Sequence, residues 1–388
     1  MLFRSEKVIG TPEYIEAARE HQDYVDSLTA WAENRRNVLD RKLFGDDFAK
    51  HNVIHIETDH WMFATNLVGR RIDIKCLSYP LPKWFAHEFN LEKATPRQLE
   101  RVKLTLNPDQ SARVYAERLE FLYRTYLEKF EAHLQVPVED EAGDLLGEDD
   151  EEEEETDPAN PGKVEPEWDY EITKGPVGGG RLGYYIWRTV PEQKAASFLL
   201  TNSTQENGIT LESTYTLHCT HDKDGGEDRS LLHSVVHTGS MVILSSYVKF
   251  ERDAIPCWFS EALGHWMEYY LLGEARVCTR RELTFDIVIP NRGLRGRVYK
   301  MVKEKKYDSL AGYCGRDFDN LTVNQRVQSF SIFDYMVQDS QKLRDWTLHV
   351  KNNKDQAKAF RDIYGVPMQE FEDNWAAWVL KTYRSEMQ

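Results

Sequence analysis

The chain has 388 residues, a formal net charge of −16, and 41% hydrophobic residues that include ten Trp. That composition builds a packed core and excludes a disordered chain. The negative balance repels phosphate backbones and excludes nucleic acid as a general partner, and no stretch reaches the roughly 18 apolar residues that a membrane span needs. The opening residues carry no apolar signal region. The five cysteines are odd in number and form no CxxC pair. Both features predict free thiols and a cytoplasmic location.

In chain order, the segment up to about Arg41 has apolar residues near helical spacing and is expected to be helical. Val53 to Asn66 is rich in β-branched and aromatic residues and reads as one or two strands. Val68 to Asn107 is broken by Pro80, Pro82 and Pro96, and only a short helix opened at Thr95-Pro96-Arg97 is suggested there. Asp109 to Leu134 carries an apolar stripe through Ala112, Tyr115, Leu119, Leu122, Tyr126 and Phe130, the pattern of a core-packing helix.

A nearly unbroken acidic run, Glu148–Asp157, lies within the Pro-containing stretch Glu139–Trp168. Like charges repel and little apolar surface is present, so a disordered loop is expected. Gly175 to Gly183 lacks the Lys-Ser/Thr of a phosphate loop and reads as a connector. Beyond it follow a strand at Tyr184–Arg188, a helix at Pro191–Leu200, a strand or hairpin at Ile209–His221, and a helix from His233 onward. Three regions result: 1–138, the acidic stretch 139–183, and 184–388.

The chemistry concentrates in the third region. His233 and His237 stand four apart in Leu231-Leu232-His233-Ser234-Val235-Val236-His237, which on a helix places both imidazoles on one face, the spacing of a two-histidine metal grip. Downstream, Pro256 opens a second helix whose Trp258, Phe259, Ala262, Leu263, Trp266 and Tyr269 should be buried around Glu261. A carboxylate in that setting needs a partner, and a shared cation is one solution. His265, one turn beyond Glu261, is a candidate fourth ligand or proton carrier. His218, Cys219 and His221 form a weaker cluster at the end of a strand, and Tyr269, Tyr299 and Tyr313 are candidate hydrogen-bond donors.

His233-x-x-x-His237 followed by Trp258-Phe259-Ser260-Glu261-Ala262, and then by Gln325–Phe330, Ala359–Val366 and Glu370–Trp375, resembles the gluzincin branch of zinc metallopeptidases, in particular the peptidase-MA-like domains of bacterial proteins. The likeness covers roughly Tyr184 to Tyr383. It implies an α+β, zincin-like fold, with a small mixed sheet and active-site helix above a mainly helical C-terminal lobe. It also implies zinc held by His233, His237 and Glu261. The strand at Ile54–Ala64 and the helix at Ala112–Phe130 match the opening of such domains, in which case the acidic run is an insertion.

The departures from that pattern bear on activity. Ser234 stands where the family has its proton-shuttling glutamate, a loss that typically removes about 10²–10⁴ of rate. Arg326 stands where relatives often show a tyrosine, and His265 where they often show an acid. The resemblance therefore implies a zinc-binding peptidase homologue with impaired or no hydrolysis, able to pair a peptide or protein along an edge strand near Thr214–His218. Two rivals are an active hydrolase using His265 or Glu251 as base, and a metal-free scaffold in which both histidines are core residues.

Overall fold

The computed structural model describes residues 53–73, 85, 88–89, 91, 94–95, 102–134, 181–201, 208–211, 216–220, 228–247, 255–277, 287–288 and 293–384. The expected N-terminal helix, Pro96 and Arg97 of the suggested short helix, the acidic run, His221 and Glu251 lie outside them.

The chain is mixed α+β. Strands β1 (Ile54–Glu57), β2 (Trp61–Thr65), β5 (Leu182–Trp187), β6 (Gly208–Leu211) and β7 (Thr216–Thr220) make one sheet in the order β1-β2-β5-β7-β6. The three inner strands are mutually parallel, and each outer strand is antiparallel to its neighbour. Because β2 pairs with β5 (Phe63 opposite Tyr184), residues on either side of the acidic stretch share one sheet.

Alternation along the strands sets the two faces. Trp61, Phe63, Leu182, Tyr184 and Ile186 enter the main core, whereas Ala64, Tyr185 and Trp187 pack with Ala196 on the other side. All six residues of β5 are buried, as expected of a central strand covered on both faces. The second face is covered by α2 (Val190–Thr201), which packs on β5 and β7.

The edge-strand expectation needs correction. Thr216–Thr220 is an inner strand, hydrogen-bonded to β5 on one side and β6 on the other. Its backbone donors and acceptors are committed, so an extended peptide cannot add there. The outer strands of the sheet are β1 and β6. Sequence reading also left Val68–Asn107 without strands, yet β3 (Arg70–Asp73) and β4 (Lys103–Leu106) form an antiparallel pair within it.

Helix α1 (Pro108–Leu134) lies against β1, β2 and α3 (Asp228–Tyr247). Its stripe is buried as the spacing predicts: Tyr115, Leu119, Leu122 and Tyr126 are at most 1% exposed. Asp228, in the first turn of α3, accepts both Nη atoms of Arg118 at 2.8 and 2.9 Å and the Tyr115 hydroxyl at 2.7 Å. Farther along α3, Thr238 meets the Tyr184 hydroxyl at 2.5 Å and so ties the helix to the sheet.

The C-terminal lobe is helical: α4 (Cys257–Leu272), α5 (Gly293–Lys303), α6 (Leu310–Tyr313), α7 (Val323–Met336), α8 (Ser340–Asn353), α9 (Gln356–Ala359), a π turn over Phe360–Tyr364, and α10 (Met368–Thr382). A two-stranded ribbon of β8 (Arg276–Val277) and β9 (Ile287–Val288) lies between α4 and α5. No helix among the described residues is long and apolar enough to cross a membrane.

Candidate metal centre

Helix α4 is packed between α3 and α7. Pro256 precedes its first turn, and its apolar residues Trp258, Phe259, Ala262, Leu263 and Met267 are at most 2% exposed. One stripe of α4 departs from this chemistry. Glu261, His265 and Glu268 sit at i, i+4 and i+7, share a face, and are each 0% exposed. That face meets His233, Ser234 and His237 of α3, which are 1, 5 and 4% exposed.

Glycine at position 264 makes the close approach workable. A Cβ there would fall 2.7 Å from Cε1 and Nδ1 of His237. Glycine inside a helix costs about 1 kcal/mol relative to alanine, and here it leaves room for an imidazole against the α4 backbone.

Two imidazoles stand between two carboxylates. The His237 and His265 rings are 4.6 Å apart between centroids. On their Nδ1 edges, Glu268 Oε1 lies 2.7 Å from His237 and 3.3 Å from His265, while Glu268 Oε2 lies 2.7 Å from His233 Nδ1. On their Nε2 edges, Glu261 lies 3.7 Å from His237 and 3.3 Å from His265.

Two further residues complete the surroundings. Arg326 of α7 forms a buried ion pair with Glu261 and donates to the Phe318 carbonyl at 2.6 Å. Its place is fixed by a capping box in which Thr322 and Gln325 close the first turn of α7. Glu274 reaches His233 Nε2 at 3.2 Å and Arg229 at 2.7 Å. The turn that returns Glu274 to the centre runs through Gly273 at φ +73°, a left-handed conformation suited to glycine.

The electrostatics follow from the contacts. Burial penalises both carboxylates, but the imidazoles around them, with Arg326 beside Glu261, hold Glu261 and Glu268 well below the usual carboxylate range. Burial also opposes charge on His237, yet Glu261 and Glu268 push it up to about 10. Glu274 falls to about 2, held first by His233 and then by Arg229. Two buried anions therefore face two buried cations.

No protein-family model matches the chain, and no curated protein matches it.

Of the residues singled out from sequence, His233, His237, Glu261 and His265 come together here. The two ring nitrogens of His233 face Glu268 and Glu274. Ser234 Oγ is buried without a hydrogen-bond partner among the described residues. His218 belongs to β7. Tyr313 meets Ser329 at 3.4 Å, and Tyr269 packs on Phe330. Sequence reasoning noted Glu268 on the Glu261 helix without giving it a role, and missed Glu274. The i+7 spacing of Glu268 from Glu261 on an apolar helix was the available signal. His237, His265 and Glu268 offer ligand atoms within 4.8 Å of one another and could hold a metal ion.

The donor chemistry fits a borderline cation such as zinc, which takes imidazole and carboxylate ligands. The hydrogen-bond pattern fits as well. Both oxygens of Glu261 and Nε2 of His265 are buried without a well-aligned hydrogen bond, the kind of deficit that an ion in the cluster can resolve.

Proposed function

We propose that this chain is a zincin-like, metal-binding protein that does not hydrolyse peptides. The observation that carries the reading is the buried meeting of α3 and α4, which gathers imidazoles and carboxylates around one point; by the resemblance, Ser234 takes the position of the family's proton-shuttling acid. The resemblance would put zinc on His233, His237 and Glu261; the convergent trio among the described residues is His237, His265 and Glu268.

A bound zinc ion supplies Lewis acidity and acidifies coordinated water. The side chains of this protein do not put that chemistry to use. Ser234 can neither accept nor return a proton near neutrality. His265 is fully buried between two carboxylates, out of reach of a substrate. Glu274, whose side chain is 35% exposed, is pinned by Arg229 and His233 and is too weak a base at about 2. The six central side chains are each at most 5% exposed, which leaves little surface for a scissile amide to meet. This reading assigns the centre a structural or binding role.

A second reading is favoured by one specific observation. Arg326 and protonated His237 already balance Glu261 and Glu268, so the charges of the cluster also fit a metal-free core of a scaffold.

The expected result for the purified chain, loaded with zinc and incubated with unstructured peptides, is no cleavage sensitive to EDTA. Cleavage that EDTA abolishes and zinc restores would contradict the proposal.

A further inference from the structure

Resting on the metal-binding reading above, we propose that the zinc ligands are His237, His265 and Glu268, and that His233 and Glu261 have become outer partners.

Two of the three residues that the gluzincin pattern would use, Glu261 and His233, are already engaged elsewhere. Glu261 is neutralised by the buried guanidinium of Arg326. A carboxylate held by a fixed cation is a poor site for a second one, because the two positive charges would face each other at low dielectric. His233 has Nδ1 at 2.7 Å from Glu268 and Nε2 at 3.2 Å from Glu274.

His237 and His265 instead turn their Nδ1 edges toward one oxygen, Glu268 Oε1, at 2.7 and 3.3 Å. One ligand atom from each of the three residues lies within 4.8 Å of the other two. A cation at this edge replaces the protons there and leaves each imidazole with its proton on Nε2. The Nε2 edges face Glu261, at 3.7 Å from His237 and 3.3 Å from His265. Glu261 Oε1, Glu261 Oε2 and His265 Nε2 are the atoms that otherwise lack well-aligned hydrogen bonds; in this tautomer His265 Nε2–H donates toward Glu261 Oε2 at 3.3 Å, and His237 Nε2–H faces Glu261 Oε1. A ligating imidazole whose other nitrogen donates to a carboxylate is a recurrent metal-site arrangement. Here one carboxylate serves two imidazoles, and Arg326 balances its charge. His233 completes the set by holding the second oxygen of Glu268.

The test uses the full chain and zinc alone, with bound metal counted by native mass spectrometry and affinity measured by competition with a chromophoric chelator. The wild type is expected to take one zinc. His265→Gln and Glu268→Gln should weaken binding by more than about 100-fold. His233→Ala and Glu261→Gln, as losses of outer partners, should stay within about 10–100-fold. Histidine ¹⁵N NMR of the zinc-loaded wild type provides a check that needs no variant, and coordination shifts should fall on Nδ1 of two histidines. If His233→Ala and Glu261→Gln abolish binding while His265→Gln retains it, or if the shifts fall on Nε2, this assignment is overturned and the metal-binding reading survives. A wild type that takes no zinc overturns both.

Discussion

Arg326→Met is expected to cost the metal-free fold about 3–5 kcal/mol, measured by urea denaturation in EDTA. The Arg326 side chain is 1% exposed, and its partner Glu261 is 0% exposed. Methionine fills much of the same volume, so cavity formation is a minor part of the cost. The larger part is electrostatic, because Glu261 stays buried after losing the guanidinium that offset its desolvation. Half of the charge balance at the centre disappears with one substitution, leaving His237 as the opposing cation for two carboxylates. The double variant Glu261→Gln, Arg326→Met should be destabilised by clearly less than the sum of the two single changes, because it removes both charges together. A single-variant cost below about 1 kcal/mol would show that the pair contributes little.

Asp228→Ala is expected to cost a similar amount, about 3–5 kcal/mol in the same assay. Asp228 receives two Nη bonds from Arg118 and one from the Tyr115 hydroxyl, with both charged side chains 2% exposed. It also sits in the first turn of α3, where a negative charge opposes the positive end of the helix dipole. Alanine removes all of these at once and leaves a guanidinium buried in the α1–α3 contact. Asp228 precedes His233 by five residues, so weakening this start also loosens the helix that carries the centre. A loss no larger than that of an ordinary helix cap, about 1 kcal/mol, would contradict this account of how α3 is anchored.

Much of this arrangement could be read from residues alone, for identifiable reasons. The stripe of α1 and the apolar surround of Glu261 follow helical periodicity, a local property that survives folding unchanged. The spacing of His233 and His237 fixes their common face in the same way. What escaped depended on tertiary partners. Strands β3 and β4 are four residues each and about thirty residues apart in sequence, so neither announces the other. The segment near Thr214–His218 reads as an edge strand until β6 is seen beside Thr216–Thr220. Arg326 was noticed as a departure from a pattern, but its pairing with Glu261 depends on how α7 crosses α4. Glu268 was nearer to being readable: a polar i, i+4, i+7 stripe along an otherwise apolar helix must be satisfied by something facing it.

The most direct test of the account is anomalous diffraction at the zinc edge from crystals of the wild-type chain grown with zinc. The account predicts one peak between α3 and α4, beside the Nδ1 atoms of His237 and His265 and the carboxylate of Glu268. No peak between the two helices, in crystals whose other zinc sites are visible, would contradict it.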